Sequence, residues 1–330
     1  MYTVLITGGA GFIGINLIKK LLENPDNFII VIDNGISSNR FFNDFLKVHE
    51  KRVEFWKKDI CDRDLNEMIQ NQFSRIDEIY HLASIASPIF YKKYPIETLD
   101  VSYIGSKNIF ELALYYKCKI LIASTSEVYG DPSISPQIET YFGNVNSFGP
   151  RSCYDEGKRV MEALAFTYQK HYQVDVKIAR IFNTYGPYMN IFDGRIIPSL
   201  IESFIQHKPI QIYNGGKQTR SFNYIDDTLK GLMDLMKSDV MIPVNIGNDN
   251  EVSIIDTYLI IKKIIEERYP QYGTDMEIEY GFSDENDPKV RRPDLTRAKE
   301  LLDYKIQTSF EEGICQTIDY FIEYFTKTEV

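Results

Sequence analysis

The feature that most constrains this chain lies at its start, where the apolar, β-branched run Tyr2 to Thr7 leads directly into Gly8, Gly9, Gly11 and Gly14. Ile13, Leu17, Ile18, Leu21 and Leu22 then recur at helical spacing. A strand that turns through glycines into a helix leaves N–H groups free at the helix start. The dipole there favours an anion, and the missing side chains let a pyrophosphate approach closely. Gly9-Ala10-Gly11-Phe12-Ile13-Gly14 satisfies G-x-G-x-x-G, and Gly8, Gly11 and Gly14 give a second register, G-x-x-G-x-x-G. The next apolar strand, Phe28 to Ile32, ends at Asp33, close to the separation of about 20 residues expected for an acid that hydrogen-bonds a ribose hydroxyl. Asp33 would meet a 2′-phosphate with like charge, which favours NAD over NADP. Asp59, after the third strand, is a candidate for contact with the adenine, with an exposed loop acid as the alternative.

Further strands are expected at Val53 to Trp56, Glu78 to Leu82 and Ile120 to Ser124, each reached after a segment of helix length. Later candidates are Val174 to Ile181 and Val244 to Ile246, ahead of a helical stretch from Ile254 to Ile265. This alternation predicts an α/β chain built on a Rossmann-type doubly wound parallel sheet. Beyond residue 185, Gly and Pro recur at Gly186-Pro187, Gly194, Pro198, Pro209 and Gly215-Gly216, which fits a smaller C-terminal lobe set over the ends of the sheet. Ser283 to Asp294, charged and containing proline, reads as a linker or mobile loop.

Lys and Arg number 37 against 47 Asp and Glu, a formal net charge of −10. No overall basic field exists to hold nucleic acid or an anionic membrane, so an anionic small ligand needs a local Arg cluster. The longest apolar runs are far short of the roughly 20 residues of a membrane span, and no charged n-region precedes an apolar h-region at the start. Cys61, Cys118, Cys153 and Cys315 are scattered singly, as are the four histidines, so no metal site is expected and the cysteines read as free thiols of a cytoplasmic protein.

Tyr154 and Lys158 form Y-x-x-x-K, a spacing that puts phenol and ammonium one helical turn apart on one face. Tyr103/Lys107, Tyr115/Lys119, Tyr213/Lys217 and Tyr258/Lys262 match it too, and context separates Tyr154 from them. It opens a helical pattern through Val160, Met161, Leu164, Ala165 and Tyr168, and it follows the fifth strand with its Ser124-Thr125-Ser126-Glu127 end. A lysine beside a phenol favours phenolate, which a general base for an alcohol requires, and hydride transfer becomes chemically plausible.

Taken together, Gly8 to Gly14, Tyr80-His81-Leu82-Ala83, Ser124 to Gly130 and Tyr154/Lys158 resemble an extended short-chain dehydrogenase/reductase acting on nucleotide sugars, over nearly the whole chain. Within that superfamily Glu139 to Asn146, Gly149 to Arg159 and Ala179 to Pro187 are most similar to UDP-glucuronic acid decarboxylases, the UDP-xylose synthases. Gln218-Thr219-Arg220 and Asp287 to Asp294 extend the likeness into the C-terminal lobe. The resemblance implies a redox-neutral cycle: hydride leaves C4 of the sugar for NAD+, the resulting β-keto acid loses CO2, and hydride returns to give UDP-xylose.

It also implies roles. Tyr154 is the base for the C4 hydroxyl, Lys158 its pKa partner and a donor to the nicotinamide ribose, Thr125 a partner of the C4 oxygen, and Glu127 the acidic group beside the sugar. The cofactor set it implies is Gly8, Gly11, Phe12, Ile13, Gly14, Asp33, Asn34, Asp59, Ile60, Leu82 and Ala83, with Tyr154 and Lys158. The substrate set is Ser87, Glu127, Asn183, Arg220 and one arginine of the Arg291/Arg292 pair, Arg292 being preferred. A homodimer through the helices near residues 99 to 116 and 152 to 170 is implied as well. The expected domains are 1–180 with about 222–245 for NAD, and about 181–221 with 246–330 for the nucleotide sugar.

Ala83-Ser84-Ile85-Ala86-Ser87-Pro88 departs from the Ala-Cys-Pro-Ala-Ser-Pro of the decarboxylases, which bears on substrate identity and not on reaction class. A nucleotide-sugar 4,6-dehydratase is the nearest rival, but such enzymes carry Thr-Asp-Glu where this chain has Ser126 in the middle, and a hydroxyl is a poor proton donor to a leaving group. A 4-epimerase leaves Glu127 without evident use. A NAD-binding scaffold or sensor is the alternative from outside enzymology.

Overall fold

The computed structural model describes residues 1–39, 41–192, 194–273, 276–281 and 291–326. In chain order the first half comprises β1 (Tyr2–Thr7), α1 (Phe12–Leu21), β2 (Asn27–Ile32), α2 (Phe42–His49), β3 (Val53–Trp56), α3 (Leu65–Gln72), β4 (Glu78–His81), α4 (Pro88–Lys93), α5 (Pro95–Asp100), α6 (Ser106–Tyr116) and β5 (Lys119–Thr125). A π-helical turn, Val101–Gly105, joins α5 to α6. The second half comprises α7 (Ser152–Tyr172), β6 (Val176–Ile181), β7 (Thr184–Tyr185), α8 (Ile196–Ile205), β8 (Ile210–Tyr213), β9 (Thr219–Ser221), β10 (Asn223–Tyr224), α9 (Ile225–Lys237), β11 (Pro243–Ile246), β12 (Glu251–Ser253), α10 (Ile254–Arg268), β13 (Ile278–Gly281), α11 (Thr296–Leu302) and α12 (Phe310–Thr326).

Seven strands form one sheet in the order β11-β6-β5-β4-β1-β2-β3, and every pairing in it is parallel. The strands are apolar on both faces because each face is covered. Val4, Ile6, Ile29, Val31, Leu121 and Ala179 point into a core shared with α1, α9, α10 and α12. Their alternates Leu5, Ile30, Ile32, Ile120, Ile122 and Ile178 point into a second core with α3, α6 and α7. A half-exposed sheet would alternate apolar with polar; these runs are continuous, as parallel strands buried on both sides must be. Full burial of each Leu or Ile contributes roughly 1.5–3 kcal/mol.

The strand order reverses at β1, which has β2 on one side and β4 on the other. Crossovers leave in opposite directions there and open a crevice at the carboxyl ends of the strands, the general place for a ligand in such sheets. The chain beyond residue 181 adds three two-stranded ladders, β7 with β10, β8 with β13 and β9 with β12, over that end of the sheet. Of the segment read as a linker, residues 283–290 lie outside the described residues. Its remainder is not a free loop, because Gln137 N–H donates to Arg292 O at 2.8 Å and Asp294 N–H to Gln137 O at 2.8 Å. Among the described residues no helix is long and apolar enough to cross a membrane.

His81, at the end of β4, ties this crevice together. Its Nδ1 lies 2.7 Å from Thr7 Oγ1 and its Nε2 2.9 Å from Ser106 Oγ at the start of α6. Ser106 O–H is given to Val101 O at 3.2 Å, so its oxygen accepts from Nε2–H while Nδ1 accepts from the Thr7 hydroxyl. Thr7 Oγ1 in turn accepts from Ala83 N–H at 3.3 Å. The neutral ring satisfies every partner, and burial, with a smaller effect of Lys158, lowers its pKa from 6.5 to about 3. The unfolded chain takes up this proton below its ordinary pKa whereas the folded chain refuses it until about pH 3. The stabilisation is therefore complete above that ordinary value and declines as pH falls. Between about pH 7.5 and about pH 5.5 His81 should remove about 1.4 kcal/mol of stability. Urea unfolding of wild type and His81→Gln at both pH values checks this: the wild type should lose more by that amount, and equal losses would contradict it.

Candidate active site

Two cavities meet at the carboxyl ends of β1, β4 and β5. The smaller, about 260 Å³, lies over the glycine turn. The larger, about 950 Å³, runs from β5 under α8 toward β9. Phe12, Ile13, Leu82, Ser84 and Arg195 line both and so mark their junction.

The glycine turn is close-packed. Gly8 has φ +71°, and a Cβ there would come within 2.7 Å of the Ala83 backbone; one on Gly14 would come within 2.5 Å of Gly9 Cα. Gly11 caps α1 without any side-chain hydrogen bond, so the cradle is backbone throughout and fits a dinucleotide pyrophosphate. Asp33 closes the far end of the smaller cavity. Its Oδ2 accepts from Ala10 N–H at 3.1 Å, and its Oδ1 from Gly35 N–H at 2.9 Å and Ser38 O–H at 2.8 Å. Asn34 Nδ2 donates to Asp59 Oδ2 at 2.8 Å, which joins the loops after β2 and β3 along the same wall.

Tyr154 and Lys158 stand on the first turns of α7 with the end of β5 against them. Tyr154 is hydrogen-bonded to the Thr125 side chain, and its ring stacks on Tyr91 from α4, with centroids 5.3 Å apart and planes 10° apart. Lys158 Nζ donates to Ala123 O at 2.7 Å and lies 5.8 Å from the Tyr154 ring centroid. Burial outweighs the expected lowering of the phenol pKa. Burial pushes Tyr154 up to about 12 against the opposing hydrogen bond from Thr125. Burial also draws the Lys158 ammonium down to about 7, with Glu162 acting the other way. The spacing argument weighed the lysine charge but not the desolvation of both groups, and desolvation dominates.

Beside this pair lies a cluster of four charges. Glu127, on the 3₁₀ turn after β5, accepts from Arg151 Nη2 at 2.5 Å. It takes a forked pair of hydrogen bonds from Arg291, Nη1 to Oε1 at 2.7 Å and Nη2 to Oε2 at 2.8 Å. Such bidentate pairing fixes the carboxylate in orientation as well as charge. Asp155 lies 3.6 Å from Arg151 Nε. Burial first, and then repulsion from Glu127, push it up to about 7 against the two arginines. With Asp155 ionised the cluster is neutral; with Asp155 protonated it carries one positive charge, the complement of one sugar carboxylate.

The remaining expected residues divide as follows. Gly8, Gly11, Gly14, Asp33, Asn34, Asp59, Ile60, Ala83 and Ser87 line the smaller cavity. Thr125, Glu127, Tyr154, Lys158, Asn183 and Arg220 line the larger. Ser87, expected at the sugar, lines the smaller cavity, while its neighbour Pro88 lines the larger. Arg292 lines neither cavity: its Nε donates to Asp249 O at 3.1 Å and its side chain runs outward past Glu251. Arg291 takes the inward place, since successive residues of this extended segment face opposite ways. Arg151, Tyr91 and Arg195 line the larger cavity without having been singled out. Arg151 was legible as a cation three residues before Tyr154. Tyr91 and Arg195 come from distant segments, and nothing local marks them.

A protein family described as GDP-mannose 4,6 dehydratase matches residues 5–317. UDP-glucuronic acid decarboxylase 6 of Arabidopsis thaliana is 42% identical over 311 residues, covering 94% of this chain and 86% of the relative. UDP-glucuronic acid decarboxylase 1 of Xenopus tropicalis is 41% identical, over 96% of this chain and 72% of the relative. Among solved structures, UDP-glucuronic acid 4-epimerase from Bacillus cereus, in complex with UDP-glucuronic acid and NAD, superposes with a TM-score of 0.84 at 28% identity, covering 98% of this chain and 99% of that one. With glycine turn, Tyr154/Lys158 couple and near full-length relatives agreeing, this chain belongs to the extended short-chain dehydrogenases/reductases that act on nucleotide sugars, the group that holds the UDP-glucuronic acid decarboxylases.

Proposed function

We propose that this protein converts UDP-glucuronic acid to UDP-xylose and CO2 with NAD as a cofactor that is regenerated in each turnover. The observation that carries this reading is the 42% identity with a UDP-glucuronic acid decarboxylase over 94% of the chain. When bound, NAD supplies the hydride acceptor for C4 and later the hydride donor. Tyr154 takes the proton of the C4 hydroxyl, Thr125 holds the same oxygen, and Lys158 supplies the positive charge that favours phenolate. Once C4 is a ketone, loss of CO2 from C5 moves negative charge from the carboxylate to the C4 oxygen. Tyr154, then protonated, and Thr125 are hydrogen-bond donors to that developing charge. Glu127, its own charge held by Arg151 and Arg291, lines the same cavity as Tyr154 and Thr125 and is the acidic group beside the sugar. Ser126, where a dehydratase carries its acid, offers no proton to a leaving hydroxyl.

Gly8, Gly11, Phe12, Ile13 and Gly14 hold the pyrophosphate, Asp33 and Asn34 the adenosine ribose, Asp59 and Ile60 the adenine side, and Leu82 and Ala83 the nicotinamide side. Asn183, Arg220 and Arg291 hold the nucleotide sugar. We assign residues 1–180 and about 222–245 to the NAD-binding domain, which the joining of β11 to the sheet supports, and the rest to the nucleotide-sugar lobe. Four cysteines without disulfide partners support a cytoplasmic location. Exposed Leu99, Tyr103, Leu114 and Tyr115 on the α5–α6 rod, next to Phe166 and Tyr172 on α7, support a homodimer through these helices.

Incubation with UDP-glucuronic acid and catalytic NAD+ should yield UDP-xylose by mass, with CO2 released and no accumulation of NADH. A product lighter by one water would identify a dehydratase, and one of unchanged mass an epimerase. Tyr154→Phe should lower turnover by about 10²- to 10⁴-fold while NAD+ binding by calorimetry stays close to wild type; substantial residual activity would reject Tyr154 as the base. Sedimentation should give twice the 38.4 kDa of one chain, and Phe166→Glu should shift it toward monomer. A wild-type monomer would reject the dimer.

A further inference from the structure

Beside the larger cavity, a sugar acid makes three carboxylates for two guanidiniums. Glu127 and Asp155 already face Arg151 and Arg291, two negative charges against two positive ones. The sugar carboxylate is the third, and both arginines line the cavity it enters. Arg195 and Arg220 line it too, but the diphosphate brings charges of its own for them. A buried cluster holds an excess negative charge only at high cost, and a carboxylate relieves it by binding a proton.

Geometry picks out which carboxylate does so. Glu127 is saturated: Arg291 grips both of its oxygens, at 2.7 Å and 2.8 Å, and Arg151 Nη2 adds a third contact at 2.5 Å. Asp155 is as deeply buried, at 7% exposure each. Its Oδ1 nevertheless makes no hydrogen bond, and its Oδ2 has Arg151 Nε at 3.6 Å, beyond hydrogen-bond length. It lines neither cavity, so it meets the sugar through charge and not through contact.

The groups that face Asp155 are Arg151, Cys153 and Tyr154 at the start of its own helix, Glu127 from the turn after β5, Tyr91 from α4, and Arg291. Lys158, one turn further on, is turned to Ala123 O. The arginines and the first turn of α7 favour the Asp155 anion. Burial and Glu127 oppose it and prevail, pushing the carboxyl up to about 7. Burial also pushes Tyr91, Cys153 and Tyr154 upward, so these three stay neutral.

We propose that Asp155 takes up a proton from solvent as the sugar carboxylate binds beside Arg151 and Arg291, and returns it once that carboxylate has left as CO2. The proposal rests on the reading of UDP-glucuronic acid as the substrate. Asp155 is a positioning residue in this cycle. Protonated, it stops competing for Arg151, and the two guanidiniums balance Glu127 and the sugar acid. The product has no carboxylate, so Asp155 ionises again and ends each turnover as it began. The proton that replaces CO2 at C5 is a separate one.

The test is calorimetry on the NAD+-loaded protein at pH 8, repeated in buffers of different ionisation enthalpy so that bound protons are counted. The probes are the 4-deoxy-4-fluoro analogues of UDP-glucuronic acid and UDP-glucose. Neither has a C4 hydroxyl to oxidise, and they differ in the carboxylate. An added like charge raises a carboxyl by about one pH unit or more, so the acid should take up about half a proton per site beyond the neutral sugar. Asp155→Asn, which copies the protonated form, should cut that difference to less than half while still binding the acid, and Asp155→Glu should restore it. A difference kept above half in Asp155→Asn assigns the proton to another group and overturns the proposal, as does the absence of any difference in the wild type. Failure of the acid analogue to bind the wild type would instead overturn UDP-glucuronic acid as the substrate, and the proposal with it. Should Asp155→Asn fail to fold, Asp155→Ser removes the carboxylate with a smaller side chain and is read in the same way.

Discussion

The contact between the Gly8 turn and the Ala83 backbone is the constraint on which the rest of this structure depends. No Cβ fits at Gly8, so the end of β1 lies directly against the chain leaving β4. That closeness lets the Thr7 hydroxyl reach both His81 and Ala83 N–H. Both cavities take their common wall from the residues just beyond, Phe12, Ile13, Leu82 and Ser84. A bulkier residue at Gly8 would separate β1 from β4, and it would do so at the one place in the sheet where the strand order reverses.

The electrostatics of the larger cavity run against those of the whole molecule. A chain with a formal charge of −10 has no general attraction for a nucleotide sugar, so the attraction is local. Arg151, Arg195, Arg220 and Arg291 all face one cavity, drawn from the residues just before α7 and α8, from β9 and from the segment after β13. Two of them are committed to Glu127. The arrangement trades attraction for placement: a guanidinium already paired pulls less on an arriving anion, but a carboxylate gripped from two sides cannot swing away from the sugar.

Much of this was legible in the chain itself, for identifiable reasons. The glycine turn, Asp33 and the Tyr154/Lys158 spacing are local signals, and continuous apolar runs separated by helix-length segments specify a parallel sheet covered on both faces. Three kinds of fact were not legible. Tyr91 and Arg195 reach the cavity only because distant segments fold there. The choice between Arg291 and Arg292 depended on which way one residue of an extended segment faces, and composition is silent on that. The protonation of the couple was a third case: spacing shows that a lysine adjoins a phenol, whereas burial, a property of the whole fold, decides which way both groups shift.

That last point links the fold to the chemistry. Burial disfavours the charged forms of Tyr154 and Lys158 alike, moving the phenol up to about 12 and the ammonium down to about 7. An exposed couple would avoid this cost, but water would then reach a 4-keto sugar that has just lost CO2 and still awaits hydride. Enclosure is therefore required by the intermediate, and the charges lost to enclosure have to be restored by fixed neighbours. Thr125 does so for the phenol by a hydrogen bond that opposes the rise caused by burial, and Glu162, one turn along α7, acts against burial at Lys158 without reversing it.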